Sequence, residues 1–308
     1  MKTKYKFTVF MTTYNRRSYM QRVYECLERQ TYKNFEWLII DDGSTDGTEE
    51  EIESLKEKSS FPITYIWQEN GGRHRAHNHA LRYAQGEFFM HLDSDDLLTE
   101  NALERFMFYW DSIPGDQRSN FAGVGSLCAG PYGKIIGTKY PKDLIDSNTN
   151  EIYWSMGVKG DKSFVFLTNI IKQYPYPDFD GEPWIPPGVI YNQMGRKYKM
   201  RFFNEVLRIK EYLPKGISSK GYSRILKAIK SANGYRLSNM QALEFINRKS
   251  LCRLLKQSAL VVRFSLHLGY SLKEQLSPIT HKFIYILSSP IGLLLFFRDR
   301  IILKRESQ

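Results

Sequence analysis

The stretch FEWLIIDDGSTDGTEEEIESLKEK, residues 35–58, reads as a strand, a turn and a helix in direct succession. Residues 35–40 are almost continuously apolar, which is typical of a parallel strand that is covered on both faces. The apolar run ends in residues 41–47, where Asp, Gly, Ser and Thr are concentrated as they are in turns. The Glu-rich segment from Thr48 to Lys58 then predicts a helix. This succession indicates one β-α unit of an α/β fold.

Similar units lie on both sides of this stretch. Strands are predicted at Phe7–Met11, Ile63–Gln68 and Glu87–Leu92, and helices at Tyr19–Gln30, with Ser18 as the N-cap, and at Arg73–Ala84. The repeated order predicts a doubly wound, mainly parallel sheet. Ligands of such sheets bind outside the carboxyl ends of the strands, so the loops Thr12–Asn15, Asp41–Thr45 and Asp93–Asp96 are expected at one edge. A late strand is predicted at Met200–Lys210.

Charge divides the chain near Gly216. The whole chain has 308 residues and a net charge of +11, but residues 216–308 have 16 Lys and Arg against 4 Asp and Glu, while residues 1–215 have 28 against 29. This asymmetry predicts a globular domain over residues 1–215 and a basic helical extension over residues 216–308. The three cysteines share no metal-ligand spacing, which favours a reducing compartment, and the first residues do not resemble a signal peptide.

Two interpretations of the basic extension stay open. The apolar run Phe283–Phe297 is shorter than the roughly 20 residues that a membrane-spanning helix needs. Basic residues interleaved with apolar ones instead predict attachment to an anionic membrane surface. The alternative is a helical subdomain that packs on the core or on a partner. Binding of nucleic acid is not expected, because no recognised module accompanies the charge.

The run Asp93-Ser94-Asp95-Asp96 is the strongest candidate for a ligand site. Three carboxylates within four residues repel one another unless a cation is present, and hard cations such as Mg²⁺ or Mn²⁺ take oxygen ligands. A solvated turn that caps a helix from Thr99 would explain the run equally well. Asp42 raises a similar choice between a ligand-binding carboxylate and an acid at a helix N-terminus.

The sequence does not indicate a glycine-rich nucleotide-binding loop or a zinc site. The chain has neither a G-x-x-x-x-G-K-[ST] loop nor a G-x-G-x-x-G motif after the first strand. His74, His77 and His79 lie close together, but His77 and His79 are two apart and would point to different faces of the predicted helix, which argues against a zinc site. A cationic surface with Arg73 as its main member is the better interpretation, because guanidinium groups bind phosphate well.

Taken together, five segments closely resemble glycosyltransferase family 2, whose members have the GT-A fold. The order and spacing of these segments match over residues 5–110, and residues 155–215 resemble the acceptor half of some bacterial members more loosely. The segments are Thr12–Asn15, Gln30–Glu36, Asp41–Thr48, Asn70–Gly72 and Leu92–Asp96. The resemblance implies a nucleotide-sugar and metal half at residues 1–110 and an acceptor half at residues 111–215.

The resemblance also implies an inverting enzyme that uses a UDP-, GDP- or dTDP-linked sugar, UDP being favoured, with Mn²⁺ or Mg²⁺. By motif, the residues expected at the nucleotide are Thr12, Tyr14, Asp42 and Arg73, and those expected at the metal and ribose are Asp93 and Asp95. Ser94 and Asp96 are expected on the same donor side, and Asp96 is also a candidate for direct contact with the metal, because family patterns differ in which acid of the run binds it.

The general base that an inverting transfer needs is not marked by the usual acidic pair. The sequence shows Asp178-Phe179-Asp180-Gly181-Glu182 where family members usually have Glu-Asp. Glu182 is the favoured base, because the Gly before it and the Pro-Trp after it would fix its loop. Asp180 is second and Asp161 third, and the alternative is that all three are surface acids.

The function expected from the resemblance is synthesis of a cell-surface polysaccharide. The acceptor would be a glycan or a polyprenyl-linked sugar, and the enzyme would be cytoplasmic and peripheral on the inner face of the membrane. One alternative is a catalytically silent scaffold or sensor that binds a nucleotide sugar. Another is a nucleotidyltransferase, although Thr12–Arg17 lacks the Gly-rich basic loop expected of that class.

Overall fold

The computed structural model describes residues 3–211, 222–247 and 250–306 as one mixed sheet with helices on both faces and a helical C-terminal region. The strands are β1 (Tyr5–Thr13), β2 (Phe35–Asp41), β3 (Ile63–Trp67), β4 (Gly86–His91), β5 (Asp96–Leu98), β6 (Phe121–Ala129), β7 (Leu144–Ser147), β8 (Lys162–Leu167) and β9 (Lys199–Lys210). The helices are α1 (Arg17–Glu28), α2 (Thr48–Lys58), α3 (Arg73–Tyr83), α4 (Ala102–Asp111), α5 (Thr168–Ile171), α6 (Gly188–Met194), α7 (Tyr222–Lys230), α8 (Ala232–Phe245), α9 (Leu251–His267), α10 (Leu272–Leu276) and α11 (Lys282–Glu306). A 3₁₀ turn at Gly115–Asn120 and a π turn at Glu151–Ser155 complete the helical elements.

The parallel half of the sheet has the predicted β-α order. Strands β3, β2, β1 and β4 are neighbours in that order and all pair in parallel. Helix α2 has the predicted bounds, but α1 begins at Arg17, so Ser18 lies inside the helix and does not cap it. The carboxylate of Asp46 instead accepts a hydrogen bond from the Arg17 N–H, which satisfies one of the free donors of the first turn.

The other half of the sheet departs from the expected parallel pattern. The order continues as β8, β6, β9 and β5, with β7 on β9, and only the β6–β9 pair is parallel. Strand β5 places Asp96 opposite Lys210 of β9, and α4 begins only at Ala102. The expected solvated turn that caps a helix from Thr99 is therefore wrong, because Asp96 belongs to a buried strand.

Two apolar layers cover the faces of the sheet. Because side chains alternate along a strand, Val9 faces one layer and Phe10 the other. The first layer contains α1, α2 and α4 and includes Val23, Ile52 and Phe106. The second contains α3 and α6 and includes Ala76, Ala80 and Val189. The layers leave the carboxyl ends of β1, β2 and β4 at a shared edge.

The C-terminal helices have their own apolar cluster and also contact the sheet domain. Leu254 and Val261 of α9 pack with Tyr285 of α11. Gly234 of α8 lies against Ile185 and Pro186, so α8 packs directly on the N-terminal domain. The predicted boundary at residues 215 and 216 lies outside the described residues. Within those residues, no helix is long and apolar enough to cross a membrane.

Candidate active site

Three loops meet at the carboxyl edge of the parallel strands, as their positions in the chain predict. The Asp42 N–H donates to the Thr13 carbonyl at 2.8 Å, and the Leu92 N–H donates to the Phe10 carbonyl at 2.8 Å. The side chain of Asn15 accepts from the Thr45 N–H at 2.8 Å, while the Asn15 N–H donates to the Ser44 hydroxyl at 2.8 Å. These bonds hold the first two loops together beside the acidic run.

Thr12 and Tyr14 lie at the end of β1. The strand runs to Thr13, so the expected loop begins two residues later than predicted. The hydroxyl of Thr12 is buried and has no hydrogen-bond partner among the described residues. The ring of Tyr14 is 51% exposed and offers an aromatic face at the edge. An aromatic ring in this position can stack on a planar group.

Asp42 is buried and holds the segment that precedes α3. Its Oδ1 accepts from the Gln68 side chain at 2.7 Å and from the Gly71 N–H at 2.8 Å, and its Oδ2 accepts from the Gly72 N–H at 2.8 Å. Both carboxylate oxygens thus have partners inside the protein. These bonds fix the chain that leads into Arg73, so Asp42 has a positioning role, and its expected contact with the nucleobase stays a prediction.

Arg73, at the start of α3, forms an ion pair with the acidic run. Its guanidinium lies 2.9 Å from Asp93 Oδ1 and 3.1 Å from His91 Nδ1. Burial favours a neutral carboxyl, but the positive charges of Arg73, Lys210 and Arg208 together outweigh it and hold the pKa of Asp93 well below its usual value. Burial, reinforced by Arg73, lowers the pKa of His91 well below its usual range, so this imidazole is neutral.

Lys210, at the end of β9, joins three acids from distant parts of the chain. Its Nζ lies 3.8 Å from Asp93 Oδ2, 3.3 Å from Asp96 Oδ2 and 3.2 Å from Asp161 Oδ2. Burial opposes its charge, but Asp93, Asp96 and Asp161 raise the pKa of Lys210. The ammonium group is therefore the counter-charge of the acid cluster.

Asp96 lies behind this cluster and is 1% exposed. Arg208 Nη1 is 3.5 Å from its Oδ2, yet neither carboxylate oxygen has a hydrogen-bond partner among the described residues. Burial, and next the charge of Asp93, raise the pKa of Asp96. A buried carboxylate with unpartnered oxygens is costly, which marks this position as one that a bound cation would stabilise.

Asp95 and Ser94 complete the run. Ser94 is buried, whereas Asp95 is half-buried and forms no ion pair within the described part of the chain. Burial, and next the charge of Asp93, raise the pKa of Asp95. No three His, Cys, Asp or Glu side chains of residues 3–211, 222–247 and 250–306 converge on one point as a ready-made metal site. The donor set is nevertheless all oxygen, which suits Mn²⁺ or Mg²⁺ when a ligand supplies further oxygens.

Glu182, the favoured general base, lies in surroundings that favour a structural role. It is 6% exposed, and its two oxygens accept from the Asn233 N–H at 2.6 Å and the Gly234 N–H at 3.0 Å, in the first turn of α8. A carboxylate is favourable at a helix N-terminus, where backbone N–H groups lack partners. Glu182 therefore fixes α8 to the N-terminal domain.

The other two acids considered as bases lie in different surroundings. Asp180 is exposed, and its neighbour Asp178 pairs with Arg75 at 2.8 Å. Asp161 is half-exposed and lies at the acid cluster through Lys210. Asp161 pairs with Lys210, which also pairs with Asp93 and Asp96, and neither Asp180 nor Glu182 has such a contact among the described residues.

An aromatic wall borders Arg73 and connects the site to the C-terminal helices. Trp184 lies 5.4 Å from Tyr235 of α8, and the Lys227 ammonium of α7 lies 4.9 Å from the Trp184 ring. Burial, and next the charge of Arg73, lower the pKa of Lys227 to about 8. The C-terminal region thus brings a cation close to the site.

Sequence reasoning missed three of these cations, Lys210, Arg208 and Lys227. Arg208 and Lys210 are two residues apart on a predicted strand, so their shared face was a usable signal. Lys227 gave no signal, because its approach to Arg73 depends on how α7 packs.

Comparisons with known proteins agree on one family. The model of the family described as "Glycosyl transferase family 2" matches residues 8–173, just over half of the chain. The Bacillus subtilis minor teichoic acid biosynthesis protein GgaB is 32% identical over 109 residues, which cover 35% of this chain and 12% of that protein. The Staphylococcus aureus poly(ribitol-phosphate) β-N-acetylglucosaminyltransferase TarS is 33% identical over 113 residues, which cover 36% of this chain and 20% of TarS. The chain therefore matches only a fraction of the length of these relatives.

Solved structures share the fold along nearly the whole chain. Residues 1–349 of S. aureus TarS in complex with UDP-GlcNAc give a TM-score of 0.57 at 15% identity, and the match covers 98% of this chain and 92% of that one. The mannosyltransferase PcManGT from Pyrobaculum calidifontis, in complex with GDP-Man and Mn²⁺, gives a TM-score of 0.55 at 16% identity and covers 96% and 87%. At this level of identity the likeness shows the fold.

Proposed function

The chain belongs to glycosyltransferase family 2 and has the GT-A fold, and from this premise we propose that it transfers a sugar from a UDP-sugar to an acceptor hydroxyl with inversion. The observation that carries the proposal is the meeting of the acidic run with Arg73, Arg208 and Lys210 at the carboxyl edge of the sheet. Such a mixture of carboxylates and cations suits a diphosphate together with a divalent cation.

A divalent cation fits the residues of this edge. The buried oxygens of Asp96 have no hydrogen-bond partner among the described residues, and burial, with the charge of Asp93 next, raises the pKa of Asp95. In our proposal Asp93 and Asp95 hold Mn²⁺ or Mg²⁺, with Asp96 and Ser94 behind them. The cation would supply charge neutralisation for the nucleoside diphosphate that leaves. PcManGT, which has the same fold, was solved with Mn²⁺.

The side chains around the run are assigned to binding and orientation of the donor. Tyr14 would stack on the nucleobase beside Thr12, because its exposed ring lies where β1 ends. Arg73 would stabilise the negative charge that develops on the leaving group, since a guanidinium held by Asp42's loop needs little reorganisation. The neutral His91 supports Arg73 without adding charge.

Asp161 is proposed as the group that removes the proton from the acceptor hydroxyl. The support is its place at the acid cluster, 3.2 Å from Lys210, and its half-exposed carboxylate. A base must be within hydrogen-bond reach of the proton that it takes, and a half-exposed acid leaves room for an acceptor. Glu182 is no longer a candidate, because both of its oxygens bind α8.

The acceptor and the location are also proposals. GgaB and TarS are named for teichoic acid and poly(ribitol-phosphate), so a cell-surface glycan or a polyprenyl-linked sugar is the acceptor class we propose. The enzyme would work in the cytoplasm, at the inner face of the membrane.

Release of UDP from UDP-sugars, measured with and without Mn²⁺, tests the enzymatic proposal. We expect Asp95→Ala to abolish metal-dependent release, because the diphosphate loses its counter-charge, whereas Asp116→Ala in the exposed Gly115–Asn120 turn should retain it. Unchanged release by Asp95→Ala at saturating Mn²⁺ would contradict the assignment.

A further inference from the structure

We infer that one face of α11 binds an anionic lipid surface and lies along it without crossing it. The residues of this face recur every three or four positions along the helix and are large, apolar and exposed; they are Phe283, Ile286, Leu287, Leu294, Phe297 and Ile301. Phe283 and Leu294 are 78% and 71% exposed. These six residues are called the α11 apolar face below. A contiguous apolar surface of this kind marks an interaction site.

The opposite side of α11 is fixed to the rest of the C-terminal region. Tyr285 is fully buried and its hydroxyl donates to Gln275 at 2.9 Å, and Gly292 lies so close to Val262 that an added Cβ would be 2.5 Å away. Asp299 is also buried and pairs with Arg263 and His267 of α9. Rotation of α11 would break these contacts, so the α11 apolar face cannot turn inward.

The charge of α11 favours an anionic lipid surface over a second copy of the chain as the partner of the α11 apolar face. α11 contains five basic residues and two acids, Asp299 and Glu306, and the carboxylate of Asp299 is buried in ion pairs with α9 and with Arg298. Arg300 precedes Ile301 directly, and Lys304 and Arg305 follow about one turn later. A second copy that packed on this face would bring basic residues against basic residues. Anionic lipid head groups are the complementary partner.

The geometry favours a helix that lies in the plane of the membrane. From Phe283 to Ile301 the face is about 27 Å long at 1.5 Å per residue. Pro290 lies inside the helix and has no N–H for the carbonyl of Ile286, which is on the apolar face. Shallow insertion gives this carbonyl access to water or a polar head group, and no helix of the described residues is long and apolar enough to cross a membrane.

This inference names the surface that would hold the proposed enzyme at the membrane. It rests on the proposed function only where it concerns the acceptor. A lipid-bound α11 would hold the active site near acceptors that are themselves attached to the membrane. Binding to lipid can be measured without any turnover, so the two proposals can fail separately.

Sedimentation of the full chain with vesicles tests the inference. We expect binding to phosphatidylcholine vesicles that contain about one third phosphatidylglycerol, no binding to pure phosphatidylcholine, and weaker binding at high salt. Leu287→Glu with Leu294→Glu should abolish binding, and Arg300→Gln with Lys304→Gln should weaken it about 30-fold, at roughly fivefold per charge. Tyr132→Glu, at a turn where the side chain is 99% exposed, is the matched control and should bind like the wild type.

A fluorescent label gives a second measurement if a charged variant fails to fold. A polarity-sensitive dye at Leu294→Cys, in a Cys252→Ser background, should brighten with anionic vesicles, while the same dye at Tyr132→Cys should not. The inference is overturned if the wild type ignores anionic vesicles, or if both labels respond alike. It is also overturned if the wild type is a dimer that the double Glu variant makes monomeric. Retained binding of UDP in the double Glu variant, seen as a thermal shift, separates this inference from the enzymatic proposal.

Discussion

Replacement of Lys210 by Met is the sharpest perturbation of the acid cluster. The substitution keeps the length of the side chain and removes its charge, so Asp93, Asp96 and Asp161 lose an ammonium group that lies 3.2–3.8 Å from each. Arg73 and Arg208 remain near Asp93 and Asp96. The three acids then face two cations instead of three, so the cluster gains one net negative charge.

The size of the effect follows from these distances. Two unit charges about 3.5 Å apart interact by roughly 5 kcal/mol at an effective dielectric constant of about 20, before the cost of desolvation is subtracted. Removal of one partner of a buried pair costs about 3–5 kcal/mol. Lys210 keeps 15% of its side chain exposed, so we expect the lower end, about 3 kcal/mol of unfolding free energy. A loss of that size lowers Tm by roughly 6–12 °C in a domain of about 150–250 residues.

The same substitution should strengthen binding of a divalent cation. In the wild type, Mn²⁺ must enter beside an ammonium group that already compensates the acids. Without that group the acids attract the ion more strongly, and we expect at least a tenfold gain in affinity, about 1.4 kcal/mol. Mn²⁺ should therefore recover much of the lost stability of Lys210→Met.

Thermal unfolding with and without Mn²⁺ provides the assay. Lys6→Met is the matched control, since Lys6 forms a partly exposed ion pair with Glu87, 2.7 Å away. Such a pair contributes about 0–1 kcal/mol, so the control should unfold near the wild-type temperature and show no extra response to Mn²⁺. An unchanged Tm for Lys210→Met, or equal Mn²⁺ shifts for both variants, would refute the reasoning.

Three further predictions concern the site and its link to the C-terminal helices. Asp161→Asn should lower kcat by about 10²–10⁴-fold with an unchanged donor KM, whereas Asp180→Asn should leave kcat within about twofold; the reverse ranking would move the base to Asp180. Glu182→Gln should cost about 1.5–3 kcal/mol, the usual value of hydrogen bonds to a charged group, and speed hydrogen exchange at the start of α8; loss of transfer at full stability would restore Glu182 as the base. Burial and the charge of Arg73 lower the pKa of Lys227 to about 8, so the unfolded chain binds more protons than the folded chain between about pH 8 and pH 10.5. The free energy of unfolding, measured with urea, should therefore rise with pH in that range. The same slope in Lys227→Met would disprove the assignment.

The parallel half of the fold was readable from the sequence because its signals are local. Each strand is a short apolar run that ends in a turn, and α2 begins and ends where the Glu-rich segment does. The meeting of Tyr14, Asp42 and Asp93 at one edge followed from topology alone. Ser18 was misplaced as a cap because the competing acceptor, Asp46, is distant in sequence.

The rest of the site depends on pairings between distant segments, which a single sequence does not display. Asp96 was read as part of a turn because its partner strand lies more than a hundred residues later, at Lys210. Glu182 was read as a base because its neighbours fix a loop, but its partners are N–H groups of α8, about 50 residues away. In both cases the local sequence indicated a fixed backbone, but it did not indicate which groups the carboxylate contacts.

Calorimetric titration of the full chain with UDP-sugars, with and without Mn²⁺, measures whether this site binds a nucleotide sugar through a divalent cation. We expect a UDP-sugar to bind with Mn²⁺ present and Asp93→Asn to weaken this binding at least tenfold, because Asp93 pairs with Arg73 and Lys210 and is a proposed ligand of the cation. Full binding by Asp93→Asn, or no binding of any UDP-, GDP- or dTDP-sugar by the wild type under either condition, would contradict it.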